Sequence, residues 1–144
     1  MKNFDQNCNI CNGTADNEFK RIQVWSNKNW RLTTTTYKSV RGLCYLEPKR
    51  HIPYITDLDG EESIEFGSGI ANISKTLKDV FKAKLIYVYI YGGHIPHLHV
   101  HLAPHAEDDI FFDNIVKDDN LISEELLDSQ EISTIVQNIK KGLG

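Results

Sequence analysis

The chain has 144 residues, which is the size of one domain rather than two. Hydrophobic residues make up 40% of the sequence and charged residues 25%, a composition that supports a buried core and argues against disorder. The formal net charge of −4 argues against general nucleic-acid binding, because such binding depends on Lys and Arg neutralising phosphates.

Three features of the sequence bear on the cellular compartment. No apolar segment follows residues 1–5, so we expect no secretory signal. The longest apolar run, residues 85–91, is too short to cross a bilayer. Three cysteines are an odd number in a domain large enough to fold without disulfides, which favours a reducing environment. We therefore expect a cytoplasmic protein with no membrane partner.

The first half of the chain predicts antiparallel strands. Residues 21–26 alternate apolar and polar side chains, as half-buried strands do. The turn sequence Asn-Lys-Asn at 27–29 and the Thr-rich residues 30–36 complete a predicted hairpin. Residues 42–47 predict a third strand, which Pro48 ends.

A long helix follows in the middle of the sequence. It is expected to begin after the Asp-Leu-Asp-Gly sequence at 57–60, because apolar residues then recur at helical spacing. Residues 85–91 predict a buried central strand, and residues 97–102 predict the next strand, its expected antiparallel neighbour. The apolar stripe of the helix consists of Ile64, Ile70, Ile73, Leu77, Val80 and Phe81.

The C-terminal segment predicts one more helix, over residues 129–141. Asp128 is the expected N-cap, with Glu131 three residues later, and Gly142 is the expected stop. Strands in hairpins with separate helices indicate the α+β class, as an antiparallel sheet with a long helix packed on it and a C-terminal helix. We expect residues 1–144 to form a single domain.

The charges are distributed unevenly along the chain. Residues 20–50 contain eight basic residues and one acid, whereas residues 107–131 contain ten acids and one base. One interpretation is two solvated surfaces of opposite sign. The other is a positive wall around an anionic ligand, with the acidic segment acting as a lid or a partner surface.

Five of the six histidines fall within residues 94–105. Because side chains alternate along a strand, His97, His99 and His101 share one face, and the aliphatic residues between them share the other. Three interpretations remain open on this evidence. They are a polar strand face, a mononuclear zinc site in which His-x-His supplies two ligands, and nucleophilic catalysis by a central histidine held by its neighbours.

Cys8 and Cys11 form a Cys-x-x-Cys pair with Gly13 shortly after it, which is the shape of a zinc knuckle. A redox role would need a helix directly after the pair in a thioredoxin-like context. Residues 12–17 predict a loop, so we favour the metal, which needs two further ligands. Cys44 lies on a predicted strand and is expected to be a small packed residue.

Residues 97–103, His-Leu-His-Val-His-Leu-Ala, resemble the His-φ-His-φ-His-φ-φ motif of the histidine triad (HIT) superfamily, in which φ is apolar. Residues 46–51 are similar to the family's strand that ends in Pro-Lys-x-His. The order of the cysteine pair, hairpin, Pro-Lys-Arg-His strand, long helix, Gly-rich turn and triad agrees as well. The resemblance covers about residues 8–105 and leaves residues 106–144 as an acidic C-terminal extension with a helix.

The resemblance implies nucleotide hydrolysis or nucleotidyl transfer at the α-phosphate, through a nucleotidyl-histidine intermediate. His99 would be the nucleophile, and His101 would help to bind the phosphate and manage protons on the leaving group. The backbone near His97 would orient the His99 ring. One alternative is a zinc-stabilised nucleotide-binding or protein-interaction module with little catalytic activity. Another is catalysis by a zinc ion held in the triad itself.

The resemblance also implies a metal and an assembly. In zinc-binding members of the superfamily, the histidine that ends the Pro-Lys-x-His strand and the first triad histidine complete the site. This implies a structural zinc held by Cys8, Cys11, His51 and His97, with His94 as a possible substitute for His97. It further implies a small-molecule nucleotide as the ligand, and a homodimer to which the Tyr-rich strand and the long helix would contribute.

Several family positions differ in this sequence, and they are the ones expected to contact the substrate. His94 and His105 are candidate replacement phosphate donors, and Lys49 and Arg50 are the nearest basic candidates. The usual substrates are adenine mononucleotide esters, phosphoramidates and dinucleoside polyphosphates, and the changes leave the choice among them open. Thr35 replaces the Asp that usually binds the ribose hydroxyls, and Leu43 replaces a His that often follows the glycine of its strand. Gly93 and His94 replace the Gln and Ser/Thr that usually contact phosphate just ahead of the triad. His105 replaces an Arg often found after the triad's Pro.

Overall fold

The computed structural model describes residues 3–91, 95–106 and 125–144. It has the predicted α+β architecture, with an antiparallel sheet, a long helix and a C-terminal helix. In this described part of the chain, no helix has the length and hydrophobicity needed to cross a membrane. The strands are β1 (Arg21–Ser26), β2 (Trp30–Thr35), β3 (Cys44–Pro48), β4 (Leu85–Tyr89) and β5 (Val100–His105), and the helices are α1 (Thr14–Glu18), α2 (Gly60–Phe81) and α3 (Ser129–Leu143).

The five strands form one sheet in the order β1-β2-β3-β5-β4, and each neighbouring pair is antiparallel. One face of the sheet is apolar and packs against α2 and α3. The opposite face carries the predicted functional side chains, because residues alternate across the sheet. The core between sheet and helices includes Val24, Leu32, Leu46, Ile73, Leu77, Val100, Leu102, Ile135 and Ile139.

The prediction that residues 85–91 form a buried central strand is wrong in its position. β4 lies at the edge of the sheet and pairs with β5, as Val88 opposite Leu102 shows. Its apolar side chains are partly exposed, with 45% of Val88 and 51% of Tyr91 accessible to solvent. An apolar run predicts burial on both faces, but it carries no information on whether a second strand pairs with its free edge.

The histidine strand is displaced relative to its prediction over residues 97–102. Regular pairing runs over Val100–His105, so His97 and His99 precede the ladder. The strand continues through Pro104, because β3 pairs with β5 only as far as Leu102 and demands no hydrogen bond from the proline. The predicted alternation still holds, since Leu98 is buried in the core.

Both long helices begin where the sequence predicts. Asp59 caps α2 in a reciprocal arrangement with Glu62, and the Asp128 carboxylate accepts the Glu131 N–H at 2.8 Å at the start of α3. Ile64 belongs to the predicted buried stripe of α2 but is 81% exposed, whereas Glu62 and Phe66 on either side of it contact Trp30 of β2.

Gly142 does not stop α3, which continues to Leu143. A Cβ atom at this position would lie 2.5 Å from the Cγ2 atom of Thr76 on α2. The glycine therefore permits the close approach of the two helices rather than ending the second one.

Candidate functional site

Four side chains from distant parts of the sequence meet at one end of the sheet. Cys8 and Cys11 precede α1, His51 follows β3, and His97 precedes β5, and their ligand atoms all lie within 4.8 Å of one another. The Sγ–Nδ1 distances are 3.5 Å for Cys8 to His97, Cys11 to His51 and Cys11 to His97. Sulfur and nitrogen ligands of a tetrahedral zinc ion also lie about 3.5 Å apart, from bond lengths of about 2.3 and 2.0–2.1 Å. The four residues therefore fit a zinc ion.

His97 presents the nitrogen that a metal needs. Its Nε2–H donates to the backbone carbonyl of Pro48 at 2.8 Å, which leaves the Nδ1 lone pair facing the thiols. Burial lowers the pKa of His97 to about 4, so the ring is neutral at physiological pH. Both nitrogens are thus engaged away from His99 and His101, and this geometry disfavours a zinc ion held within the triad.

The cysteine pair lies in a tight turn. The Cys11 N–H approaches Cys8 Sγ at 3.5 Å, and burial raises the pKa of the Cys11 thiol. The predicted loop at 12–17 is wrong, because α1 follows the pair directly. This helix has five residues and leads into an antiparallel sheet rather than a parallel one, so it does not create a thioredoxin-like context.

Cys44 is the third free cysteine and lies in the core, fully buried on β3. Burial raises the pKa of its thiol to about 12, which keeps it protonated and unreactive. The structure agrees with the prediction of a small packed residue.

His99 is held by the backbone of the residue two positions before it. Its Nδ1–H donates to the His97 carbonyl at 2.7 Å. A carbonyl oxygen only accepts, so Nδ1 carries a proton, and in the neutral tautomer the lone pair lies on Nε2. His99 is half-buried, and its ring centroid lies 5.4 Å from that of His101. This arrangement gives a nucleophilic imidazole in a defined orientation.

His101 lies among aromatic rings. The Tyr89 ring stacks on it at 4.5 Å with an interplanar angle of 9°, and the Tyr45 ring meets it edge-on at 5.0 Å. Burial lowers the pKa of His101 to about 3, His99 and Arg21 lower it further, and a hydrogen bond with the Tyr89 backbone opposes the shift. Within the described residues, its buried Nδ1 has no hydrogen-bond partner.

The low pKa of His101 predicts acid sensitivity. Between pH 6.5 and about 3 the unfolded chain binds a proton that the folded protein excludes, so stability falls as the pH falls. We expect this group to lower the free energy of unfolding by about 2 kcal/mol between pH 7 and pH 5. Urea unfolding at both pH values measures the change. The His101→Gln variant should lose less stability over this range, and an identical loss would contradict the prediction.

An ion network lies on the same face of the sheet as His101. Arg21 pairs with Glu47 at 2.9 Å and with Asp16 of α1 at 2.8 Å, and Arg31 also contacts both acids. The Arg21 guanidinium lies 4.9 Å from the Tyr45 ring. The network joins α1, which follows the cysteine pair, to the first three strands.

This pairing does not support the predicted positive wall. Five of the eight basic residues in segment 20–50 have acidic partners within the described residues, so their charges are compensated. The predicted lid at 107–131 lies largely outside the described residues, although Glu125 contacts Lys38 at 3.3 Å. The five basic residues and their partners are Arg21 and Arg31 with Asp16 and Glu47, Lys28 with Glu61, Lys38 with Glu125, and Arg50 with Glu62.

Several predicted substrate contacts have other neighbours in the structure. Thr35 is buried, and its Oγ1 accepts the Tyr37 N–H at 3.2 Å. His105 packs on Tyr87 and lies four strand residues, or about 13 Å, beyond His101. Arg50 donates to Glu62 at the start of α2.

Gly93 and His94 lie outside the described residues. Lys49 lies beside Arg50 in a surface cleft at the start of α2. Among the described residues, it is His97 that completes the Cys/His group.

The tyrosines and the arginine around His101 are functional-site neighbours that the sequence predictions miss. Tyr87, Tyr89 and Tyr91 are every second residue of their segment. Because every second side chain of a strand shares one face, the sequence could have placed all three on the same face as the histidines. Arg21 carries no comparable signal, because its partner Glu47 is 26 residues away.

Comparisons with known proteins agree with this architecture. The family model described as "HIT domain" matches residues 22–108. A histidine triad protein from Bradyrhizobium japonicum has a TM-score of 0.78 at 19% identity, over 89% of this chain and 93% of that chain. A Zn-bound histidine triad family protein from Mycobacterium smegmatis has a TM-score of 0.67 at 17% identity, over 96% of this chain and 94% of that chain.

A more distant match is a diadenosine triphosphate hydrolase from Plasmodium falciparum in complex with cyclomarin A. It has a TM-score of 0.61 at 14% identity, over 83% of this chain and 74% of that chain. No curated protein sequence matches significantly. At these identities, the structural matches establish the shared fold.

Proposed function

We propose, from the premise that this chain belongs to the HIT domain family, that it is a nucleotide hydrolase or nucleotidyl transferase acting at the α-phosphate. The observation that carries this proposal is the 2.7 Å hydrogen bond from His99 Nδ1 to the His97 carbonyl. It fixes the ring and leaves Nε2 as the nitrogen available for nucleophilic attack.

The reaction has two displacements at the same phosphorus atom. In the first, the His99 Nε2 lone pair forms a bond to the α-phosphorus, and the bond to the leaving group breaks. In the second, water or another acceptor attacks that phosphorus, the P–N bond breaks and the electron pair returns to Nε2. The acceptor's proton passes to solvent, and His101 contacts the phosphoryl group from the neighbouring position on the strand.

We also propose that Cys8, Cys11, His51 and His97 hold a structural zinc ion. The 3.5 Å sulfur–nitrogen distances and the orienting bond from His97 to Pro48 support this role. When bound, the ion supplies a cross-link among three distant segments of the chain and no step of the reaction. His97 would thus bind the ion through its side chain and orient the His99 ring through its backbone carbonyl.

Trapping the covalent intermediate tests the proposed function. The protein is mixed briefly with a dinucleoside polyphosphate, an adenosine phosphoramidate or an adenine mononucleotide ester, and quenched in alkaline denaturant because P–N bonds are acid-labile. Intact-mass spectrometry should show one nucleotidyl group on the wild type with at least one of these substrates. Absence of an adduct with all three, together with unchanged turnover in His99→Ala, would overturn the proposal.

A second candidate is a zinc-stabilised nucleotide-binding or protein-interaction module with little catalytic activity. The pairing of Thr35 with the Tyr37 backbone and of Arg50 with Glu62 favours it, because both side chains already have partners within the protein. This module would bind nucleotide tightly, with turnover no faster than that of His99→Ala. Isothermal titration calorimetry alongside product detection separates the two functions.

We further propose that the chain forms a homodimer through the outer edge of β4, with which no other strand of the described residues pairs. Leu85 and Val88 are exposed there by 36% and 45%, and an exposed apolar edge strand can pair with a second copy. A lysine on the edge should block that pairing, so Val88→Lys is expected to halve the mass measured by light scattering after size exclusion. Phe19→Lys, next to β1 at the opposite edge, should keep the wild-type mass. Equal masses for both variants would contradict the proposed interface.

We place the protein in the cytoplasm, acting on small-molecule nucleotides rather than on nucleic acids or membranes. The net charge of −4 and the compensation of most basic side chains in segment 20–50 support the choice of a small ligand. A long phosphate backbone therefore has few uncompensated charges to bind along segment 20–50.

A further inference from the structure

The N-terminal segment, residues 3–8, is hydrogen-bonded at both ends to the residues proposed to hold zinc. At its beginning, the His51 N–H donates to the Asn3 carbonyl at 2.9 Å. At its end, the Cys8 N–H donates to the Asp5 carbonyl at 3.0 Å. Asp5 lies between these two bonds, so the backbones of two proposed ligands fix its position.

The Asp5 side chain faces the His51 ring. Its Oδ1 accepts the Asn7 N–H at 2.9 Å, which holds the carboxylate in one orientation. Its other oxygen, Oδ2, lies 3.9 Å from His51 Nε2. The exposed fractions are 29% for the Asp5 side chain and 11% for that of His51. Solvent therefore screens this contact less than it screens a pair on the surface.

The two nitrogens of His51 have different neighbours. Nδ1 lies 3.5 Å from Cys11 Sγ, whereas Nε2 faces the Asp5 carboxylate. A negative charge beside Nε2 favours the tautomer with its proton on Nε2, because the charge attracts an N–H dipole and repels a lone pair. This tautomer presents the Nδ1 lone pair to the thiol side. The 3.9 Å separation exceeds hydrogen-bond length, so the effect is electrostatic.

His97 has a similar arrangement with a neutral partner. Its Nε2–H donates to the Pro48 carbonyl at 2.8 Å, while Nδ1 faces the thiols. An acceptor behind a metal-binding imidazole orients the ring and makes the ligand nitrogen more basic. A carboxylate acts more strongly than a carbonyl because it carries a full charge. Among the described residues, Asp5 is outside the group of four whose ligand atoms lie within 4.8 Å of one another. It therefore lies behind a ligand.

We propose that Asp5 is a positioning residue of the metal site, whose carboxylate orients His51 and strengthens its bond to zinc. This inference rests on the zinc ion proposed above and adds a fifth residue on which the affinity depends. Loss of such a partner behind a histidine ligand typically weakens metal binding about 10- to 100-fold. The N-terminal segment thereby contributes to metal retention through a side chain that does not bind the ion.

Competition for zinc measures this contribution. The full chain is loaded with one equivalent of zinc and titrated with a chromophoric chelator of known affinity, which gives the dissociation constant. Asp5→Asn keeps the size of the side chain and an oxygen that can accept the Asn7 N–H, but it removes the charge. We expect Asp5→Asn to bind zinc about 10-fold or more weakly than the wild type. Asp5→Glu restores the charge and should bind zinc more tightly than Asp5→Asn.

Asp57→Asn is the matched control for net charge. The Asp57 carboxylate also accepts a backbone N–H within its own turn, that of Tyr54 at 3.1 Å, and the substitution removes one negative charge as well. Because this carboxylate caps a different turn, Asp57→Asn should keep the zinc affinity of the wild type.

Spectroscopy separates a positioning residue from a ligand and from a residue needed only for folding. With Co²⁺ in place of zinc, Asp5→Asn should keep the visible spectrum of a tetrahedral site with two sulfur and two nitrogen ligands, because all four ligands remain. In the zinc-loaded protein, the NMR signal of the His51 Nε2 proton should move upfield in Asp5→Asn. A neutral acceptor polarises the N–H less than a carboxylate does.

The outcomes distinguish this inference from the zinc site on which it rests. If Asp5→Asn binds zinc as tightly as the wild type, Asp5 has no positioning role and the zinc site stands. Equal losses in Asp5→Asn and Asp57→Asn, or equal affinities of Asp5→Asn and Asp5→Glu below that of the wild type, would overturn the proposed role of the charge beside His51. A changed cobalt coordination in Asp5→Asn would make Asp5 a ligand instead. A wild type that binds no zinc overturns both proposals, and none of these measurements depends on catalysis.

Discussion

Replacing His99 by alanine should lower turnover by at least about 10³-fold, because the reaction loses its nucleophile. The variant should also form no covalent adduct with any nucleotide. Its fold should persist, since the side chain is only half-buried and loses a single hydrogen bond, from Nδ1 to the His97 carbonyl. Quenched time-point assays with product detection measure the turnover rate. Circular dichroism and metal analysis test whether the fold and the zinc content are unchanged.

Chemical rescue gives this prediction a control. His99→Gly leaves a space the size of the missing ring, and added imidazole should restore part of the turnover by supplying the nitrogen from solution. A His99→Ala variant that turns over substrate as fast as the wild type would contradict nucleophilic catalysis at this residue. It would favour the binding module instead.

Replacing Cys8 by serine should remove the bound zinc and destabilise the protein by about 3–5 kcal/mol, or about 10 °C in Tm. A serine oxygen is a poor zinc ligand at neutral pH, and the ion is proposed to cross-link segments that are far apart in sequence. The knuckle itself buries few apolar side chains, chiefly Cys8, Ile10 and Ala15, so little else holds it in place. Elemental analysis gives the zinc content, and thermal unfolding gives the stability.

Cys44→Ala is the matched control for the metal site. It removes a buried cysteine that belongs to the main core and not to the Cys/His group, so it should keep one zinc ion per chain and lose only the packing of one sulfur. His101→Ala should keep the zinc as well. Retention of zinc in Cys8→Ser together with its loss in His101→Ala would contradict the Cys8, Cys11, His51, His97 site and support a metal centred on the triad.

Local patterns in the sequence were sufficient for most of the fold. The hairpin over β1 and β2, the N-caps Asp59 and Asp128 and the alternation around His99 each depend on residues a few positions apart. Such patterns express the geometry of a strand or helix, in which neighbours at fixed spacing share a face. The two histidines that meet Cys8 and Cys11 were indicated differently, by the family resemblance of the motifs in which they lie.

Only the tertiary structure decided the features that depend on pairing between distant segments. It placed β4 at the sheet edge, joined Arg21 to Glu47, and brought Tyr45 and Tyr89 against His101 from the two strands that flank it. It also placed His105 four strand residues beyond His101 and paired Arg50 with Glu62. Of the clustered histidines, the four that the structure describes, His97, His99, His101 and His105, are thereby divided by their surroundings rather than by their spacing. The low pKa values of His97 and His101 follow from the burial that the fold imposes on them, and no local pattern contains that information.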